Sequence, residues 1–194
     1  ANANGATALM LAGSRPSEEA PLVETLLAYG ADASVASPPP HGLTPLMRAA
    51  SKGHAKVVRL LLDAGADPNV SGGEKVMGAS ALYLAAQGMH ERAMRVLIEA
   101  GADVNHATER MRTSCVFVAA ERGCVACVAL LLAHGADLAA ENWNGVNAFV
   151  MAAGRGHVKV MDRMAGHVKG RLPRLMNGRA HDGSHALLLV AAGD

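Results

Sequence analysis

The tripeptide Gly-Ala-Asp occurs at 30–32, 65–67, 101–103 and 135–137, so successive copies lie 35, 36 and 34 residues apart. An apolar cluster precedes each copy: Leu26-Leu27, Leu60-Leu61-Leu62, Val96-Leu97-Ile98 and Leu130-Leu131-Leu132. Ala-Ala pairs recur in phase with them at 49–50, 85–86, 119–120, 152–153 and 191–192. Self-similarity at a fixed period of this length marks a stacked array. A unit this short cannot cover its own apolar face, so neighbouring units must shield one another.

The spacings separate a rigid part from a variable one. Thr44 to Gly65, Ser80 to Gly101 and Ser114 to Gly135 each span 21 residues, whereas Asp67 to Ser80 is 13 and Asp103 to Ser114 is 11. Each unit is therefore a fixed body joined to the next by a loop of adjustable length. Thr44-Pro45 predicts a helix start, with Thr as the cap and Pro just inside it. Gly53-His54 breaks that helix. A second helix is expected from about Ala55 to Ala64, with Val57, Val58, Leu61 and Leu62 at helical spacing. Gly65 then supplies a left-handed terminus. Paired alanines let the two antiparallel helices approach closely.

This pattern resembles the ankyrin repeat, most closely in Gly42-Leu43-Thr44-Pro45-Leu46, Ala49-Ala50, Gly53-His54 and Leu60 to Asp67. The resemblance implies an all-α solenoid of antiparallel helix pairs with β-hairpin finger loops, and a concave face built from fingers and inner helices. The whole chain, 1–194, reads as one such domain, with repeats at approximately 2–38, 39–74, 75–108, 109–141 and 142–178 and a partial repeat at 179–194.

Departures from the pattern are informative. The His that family members often place after Thr-Pro-Leu gives way to Met10, Met47, Tyr83, Phe117 and Val150, which predicts packing in place of a polar link. Ser14 to Pro21 holds a two-residue insertion between the first two helices. Gln87-Gly88-Met89-His90 predicts a distorted turn in the third unit. In the fifth unit, Val168 stands where a Gly of Gly-Ala-Asp is expected. A sixth inner helix is expected at Ala186 to Ala192, leaving apolar surface uncovered there unless more chain or a partner follows. The start, Ala-Asn-Ala-Asn-Gly, lacks an initiator Met or a leader and predicts a fragment or a processed chain.

Composition narrows the function. Of 194 residues, 51% are apolar, enough to bury a substantial core and to exclude general disorder. A formal net charge of +1 removes the simplest case for a nucleic-acid or membrane-surface protein. The longest apolar run, Cys124 to Ala133, is 10 residues, half of the roughly 20 that a membrane span needs. Three cysteines in apolar surroundings favour reduced, structural thiols and a cytoplasmic or nuclear protein.

Catalytic motifs fail on inspection. Gly154-Arg155-Gly156 lacks the third glycine of a dinucleotide loop, and His90-Glu91 has no second His at metal-binding spacing. Cys124 and Cys127 form a C-x-x-C, but zinc would need two further ligands, and buried structural thiols are the expectation. The reading is no enzyme, no cofactor and no metal.

Binding candidates follow from helical periodicity. The residue before each Ala-Ala pair and the two after it share one exposed face. This gives Arg48, Ser51 and Lys52, then Leu84, Gln87 and Gly88, then Val118, Glu121 and Arg122, and then Met151, Gly154 and Arg155, four basic side chains to one acidic. The fingers add Met77, Met111 and Trp143, the single Trp. The resemblance implies a non-catalytic protein–protein interaction module, and these residues point to a partner segment carrying acidic and apolar residues. The alternative is a regulatory domain for a nucleotide-like anion, using the basic face with Phe117 and Trp143. Lys169, Arg171, Arg174 and Arg179 form a solvated basic stretch. Asn69 and Asn105 each stand two residues after the Asp of Gly-Ala-Asp. The resemblance allows hydroxylation there, while the chemistry of Asn favours loop hydrogen bonds.

Overall fold

The computed structural model describes residues 7–14 and 20–168. The expected sixth inner helix, the basic stretch from Lys169 onward and most of the first-unit insertion lie outside them. The chain divides into two compact units between Asp103 and Val104. The first holds α1 (Ala8–Gly13), α2 (Ala20–Ala28), α3 (Pro45–Ser51), α4 (Ala55–Asp63), α5 (Ala81–Gln87) and α6 (Glu91–Glu99). The second holds α7 (Cys115–Glu121), α8 (Val125–Ala133), α9 (Ala148–Gly154) and α10 (Val158–Val168).

Among the described residues every inner helix begins the same way. Thr7, Thr44, Ser80, Ser114 and Asn147 sit in extended backbone, and their side-chain oxygens accept the N–H of the residue three further on. One orphan donor is thereby satisfied at each start. The outer helices end as expected, with Gly65 at φ +87° just past α4.

Stacking within each unit follows from small side chains. In the first unit α3 packs between α1 and α5, with α4 behind it against α6. Ala49, Ala50, Ala85 and Ala86 are fully buried at these contacts. In the second unit α7 packs on α8 and α9, and α8 on α10. The five residues that replace the family's His are all buried.

A second set of histidines works differently. His54, His90 and His157 each stand 10 residues after a cap and open an outer helix. Their rings reach back to the last carbonyl of the preceding inner helix: His54 Nδ1 to Gly13 O at 3.1 Å, His90 Nε2 to Ser51 O at 3.2 Å, and His157 Nε2 to Glu121 O at 2.9 Å. A carbonyl only accepts, so each of these nitrogens carries the proton. Carbonyls left without a helical partner are thus closed by the next repeat. Gly53 makes room for this, since a Cβ there would lie 2.5 Å from His90 Nδ1.

Loops are tied sideways as well. Asn69 Nδ2 donates to Gly101 O at 3.1 Å, and Asn69 Oδ1 accepts from Asp103 N at 2.8 Å. Asn105 does the same with Gly135 O at 3.2 Å and Asp137 N at 2.9 Å. Each Asn thus fastens one Gly-Ala-Asp turn to the next. The first copy has Ser34 at this place. Hydrogen bonds from the Ser34 hydroxyl, and then from its backbone N–H, hold the Asp32 carboxyl below its ordinary range.

Three details differ from the sequence reading. Among the described residues the fingers form no continuous strands. Single antiparallel bridges join Ala107 to Ser114 and Glu141 to Asn147, and a 3-10 turn at Glu74–Val76 occupies the finger before α5. Cys124 and Cys127 are not two reduced thiols but a disulfide. Their three-residue separation at the start of α8 sets the Cα atoms 5.3 Å apart, inside the roughly 4.4–6.8 Å that a disulfide spans. Cys115 is buried and outside the pair. Lastly, the third-unit turn is not distorted: Met89 takes φ +59° where Gly53, Gly123 and Gly156 hold the same left-handed backbone in the other units.

Candidate protein-binding surface

In the first compact unit the inner helices place a basic side chain between two leucines. Arg48 on α3 is half-buried, and its Nε is buried with no hydrogen-bond partner. Leu84, at the same phase on α5, is half-buried, and Lys52 at the end of α3 is exposed. The phase also picks out Leu11 on α1, 48% exposed, which no Ala-Ala pair marks because Ala12-Gly13 stands there instead. Counting four residues from each cap would have found it. Helices α1, α3 and α5 carry no acidic residue. The positive charge of Arg48 and Lys52 is therefore unopposed along these helices. In the adjoining finger, Met77 is half-buried and held at φ +57°.

The second compact unit has a different character. Val118 on α7 is 2% exposed and belongs to the core, because its short branched side chain does not reach past its neighbours. Met151 on α9 is half-buried. Arg155 is exposed but pairs with Glu121 Oε1 at 3.1 Å. This pairing links residues 34 apart, one repeat sideways, and cancels two of the charges on this face. Arg122 remains exposed at the end of α7.

The fingers of this unit gather its exposed apolar surface. Trp143 N–H donates to Met111 O at 3.0 Å, fastening two neighbouring fingers through their backbones. Met111 is 39% exposed and Trp143 63%. Phe117 is 4% exposed, so of the two aromatics weighed for a stacked base only Trp143 is open to solvent. Arg112 takes φ +52° at the finger position where Gly42, Gly78 and Gly145 stand elsewhere. Among the described residues no three His, Cys, Asp or Glu side chains are grouped to hold a metal ion, and no helix is long and apolar enough to cross a membrane.

The repeated caps, paired alanines and left-handed Gly turns agree with the comparison to family models. Ankyrin repeats match in three copies, over residues 1–72, 19–108 and 71–142. The chain belongs to the ankyrin-repeat family. A search of curated proteins returns no match. Ankyrin repeats are generally protein–protein interaction modules and typically non-catalytic. The pair α9 and α10 lies beyond the matched range. It keeps the ankyrin geometry, with Asn147 as cap and His157 closing the carbonyl of Glu121.

Proposed function

We propose that this ankyrin chain is a non-catalytic module that binds a segment of another protein along its inner helices and fingers. The segment carries an acidic residue flanked by apolar ones. The observation that carries this reading is Arg48, whose buried Nε has no hydrogen-bond partner and whose helix packs between those of Leu11 and Leu84, with no acid on any of the three. A buried donor without a partner is costly, and a carboxylate delivered by a ligand would satisfy it with a charge-assisted hydrogen bond. Leu11 and Leu84 supply apolar anchors beside that charge, and Lys52 supplies the polar rim. In the other compact unit, Trp143 and Met111 offer a separate apolar contact of the kind that dominates interfaces.

An anionic nucleotide-like ligand is the second reading. Arg48 and Lys52 would meet its phosphates.

Selection from a random displayed-peptide library tests both. Peptides with Asp or Glu between aliphatic residues should be enriched, and Lys52→Glu combined with Arg48→Gln should weaken them about 10-fold or more. The thermal midpoint should not fall, since Lys52 is exposed and Arg48→Gln removes a buried donor that has no partner. Enriched peptides without acids, or unchanged binding by the variant, would remove the groove assignment. A thermal shift with nucleotides in its place would favour the second reading.

A further inference from the structure

Outside the binding surface, the Cys124–Cys127 disulfide is the one covalent cross-link among the described residues, and it stands at an unusual place in the repeat. Cys124 is in phase with His54, His90 and His157, but it has no ring to reach back with. The two cysteines are unequally placed. Cys124 is half-buried at the cap position, while Cys127, one turn into α8, is 0% exposed. The Cys127 N–H donates to Cys124 Sγ at 3.2 Å, and no acidic residue occupies the first turn of the helix. Arg122, two residues before Cys124, is exposed.

We propose that Cys124 and Cys127 form a thiol–disulfide exchange site for small thiols of the glutathione class, with Cys124 the sulfur that is attacked. The argument is one of access and charge. An external thiolate reaches Cys124 far more readily than Cys127, which is enclosed by the core. Once the bond is open, negative charge on the Cys124 sulfur is favoured by the N–H at its side and by the start of a helix, so Cys124 is the sulfur that leaves the mixed disulfide in the second step.

The electrons balance with two thiols. The first thiolate attacks Cys124 Sγ and forms a mixed disulfide. The Cys124–Cys127 bond breaks, its electron pair goes to the Cys127 sulfur, and that sulfur takes a proton from water. A second thiolate attacks the small-molecule sulfur of the mixed disulfide. It releases the oxidised small-molecule disulfide and leaves Cys124 as a thiolate. The pair is thus reduced by two electrons while two thiols are oxidised to one disulfide, and excess oxidised glutathione drives the reverse.

The test uses the full chain in millimolar glutathione buffers of varied redox ratio, quenched with an alkylating agent and read by peptide mass spectrometry. In the unaltered protein the Cys124–Cys127 bond should open and close with the ratio, while Cys115 takes up no glutathione. Cys127→Ser should trap glutathione on Cys124. Cys124→Ser should load Cys127 at least ~10-fold more slowly, following access and thiolate fraction. Circular dichroism of both variants keeps the comparison to folded protein, and the unaltered chain gives a reading that needs neither variant. A pair that never forms the bond overturns the proposal. So does a bond unmoved by the thiol in the folded state, or equal loading of the two variants.

Discussion

Helices α4 and α8 occupy the same place in their repeats and have the same length, yet they are held by different means. In α4, Lys56, Arg59 and Asp63 line a solvent face, and Val57, Val58 and Leu61 are the buried residues. Arg59 reaches Glu99, at the end of α6, at 2.6 Å, and both partners are about half exposed. A pair of that kind contributes roughly 0–1 kcal/mol. In α8 no residue is charged, and Leu130 and Leu132 are buried together with Cys127, Val128 and Leu131. The cap residue of α4 is a His bonded back to α1, whereas that of α8 is a Cys bonded forward into its own helix. The lesson is that the repeat fixes the backbone and leaves the means of holding it open.

The sharpest test of this contrast compares positions in phase. Leu130→Ala should cost about 2–4 kcal/mol, while Leu60→Ala, where the leucine is only half-buried, should cost about 1 kcal/mol. Urea unfolding of both variants decides it, and equal losses would break the comparison.

The imidazole tie comes next in size. His90→Ala leaves the Ser51 carbonyl without its ring partner and opens space beside Gly53, and it should cost about 1–2 kcal/mol. Hydrogen exchange at the α3–α4 junction should rise more than exchange within α5. A loss spread evenly over the unit would show that the tie is not local.

The smallest effect is a gain. Met89 holds a left-handed backbone, which costs a side-chain-bearing residue roughly 1–2 kcal/mol. Glycine relieves this but adds freedom to the unfolded chain. Met89→Gly should therefore raise stability by about 0.5–1 kcal/mol, read as a higher thermal midpoint. A lower midpoint would mean that the Met89 side chain contributes packing that exceeds the strain.

Much of the fold was legible because its signals are local. Thr44, Ser80 and Ser114 start helices through bonds to residues three further on, and Gly65 ends one by its own conformation. A reading along the chain sees such things. It also saw that Met47, Phe117 and their counterparts would pack. The candidate site was less legible, because exposure depends on neighbours one repeat away. Val118 matches the pattern and is nevertheless buried, Arg155 matches and is neutralised by Glu121, and Leu11 shares the phase with no Ala-Ala pair to mark it. The disulfide was hidden for another reason. A C-x-x-C spacing permits a bond, a metal or two inert thiols, and only side-chain placement chooses among them.

The histidine ties have a direction. The carbonyl of Gly13 is closed by a ring 41 residues later, that of Ser51 by one 39 later, and that of Glu121 by one 36 later. During synthesis each of these helix ends emerges first and waits, facing water, until the ribosome has delivered the following module. These three helix ends are thus completed only by chain made after them.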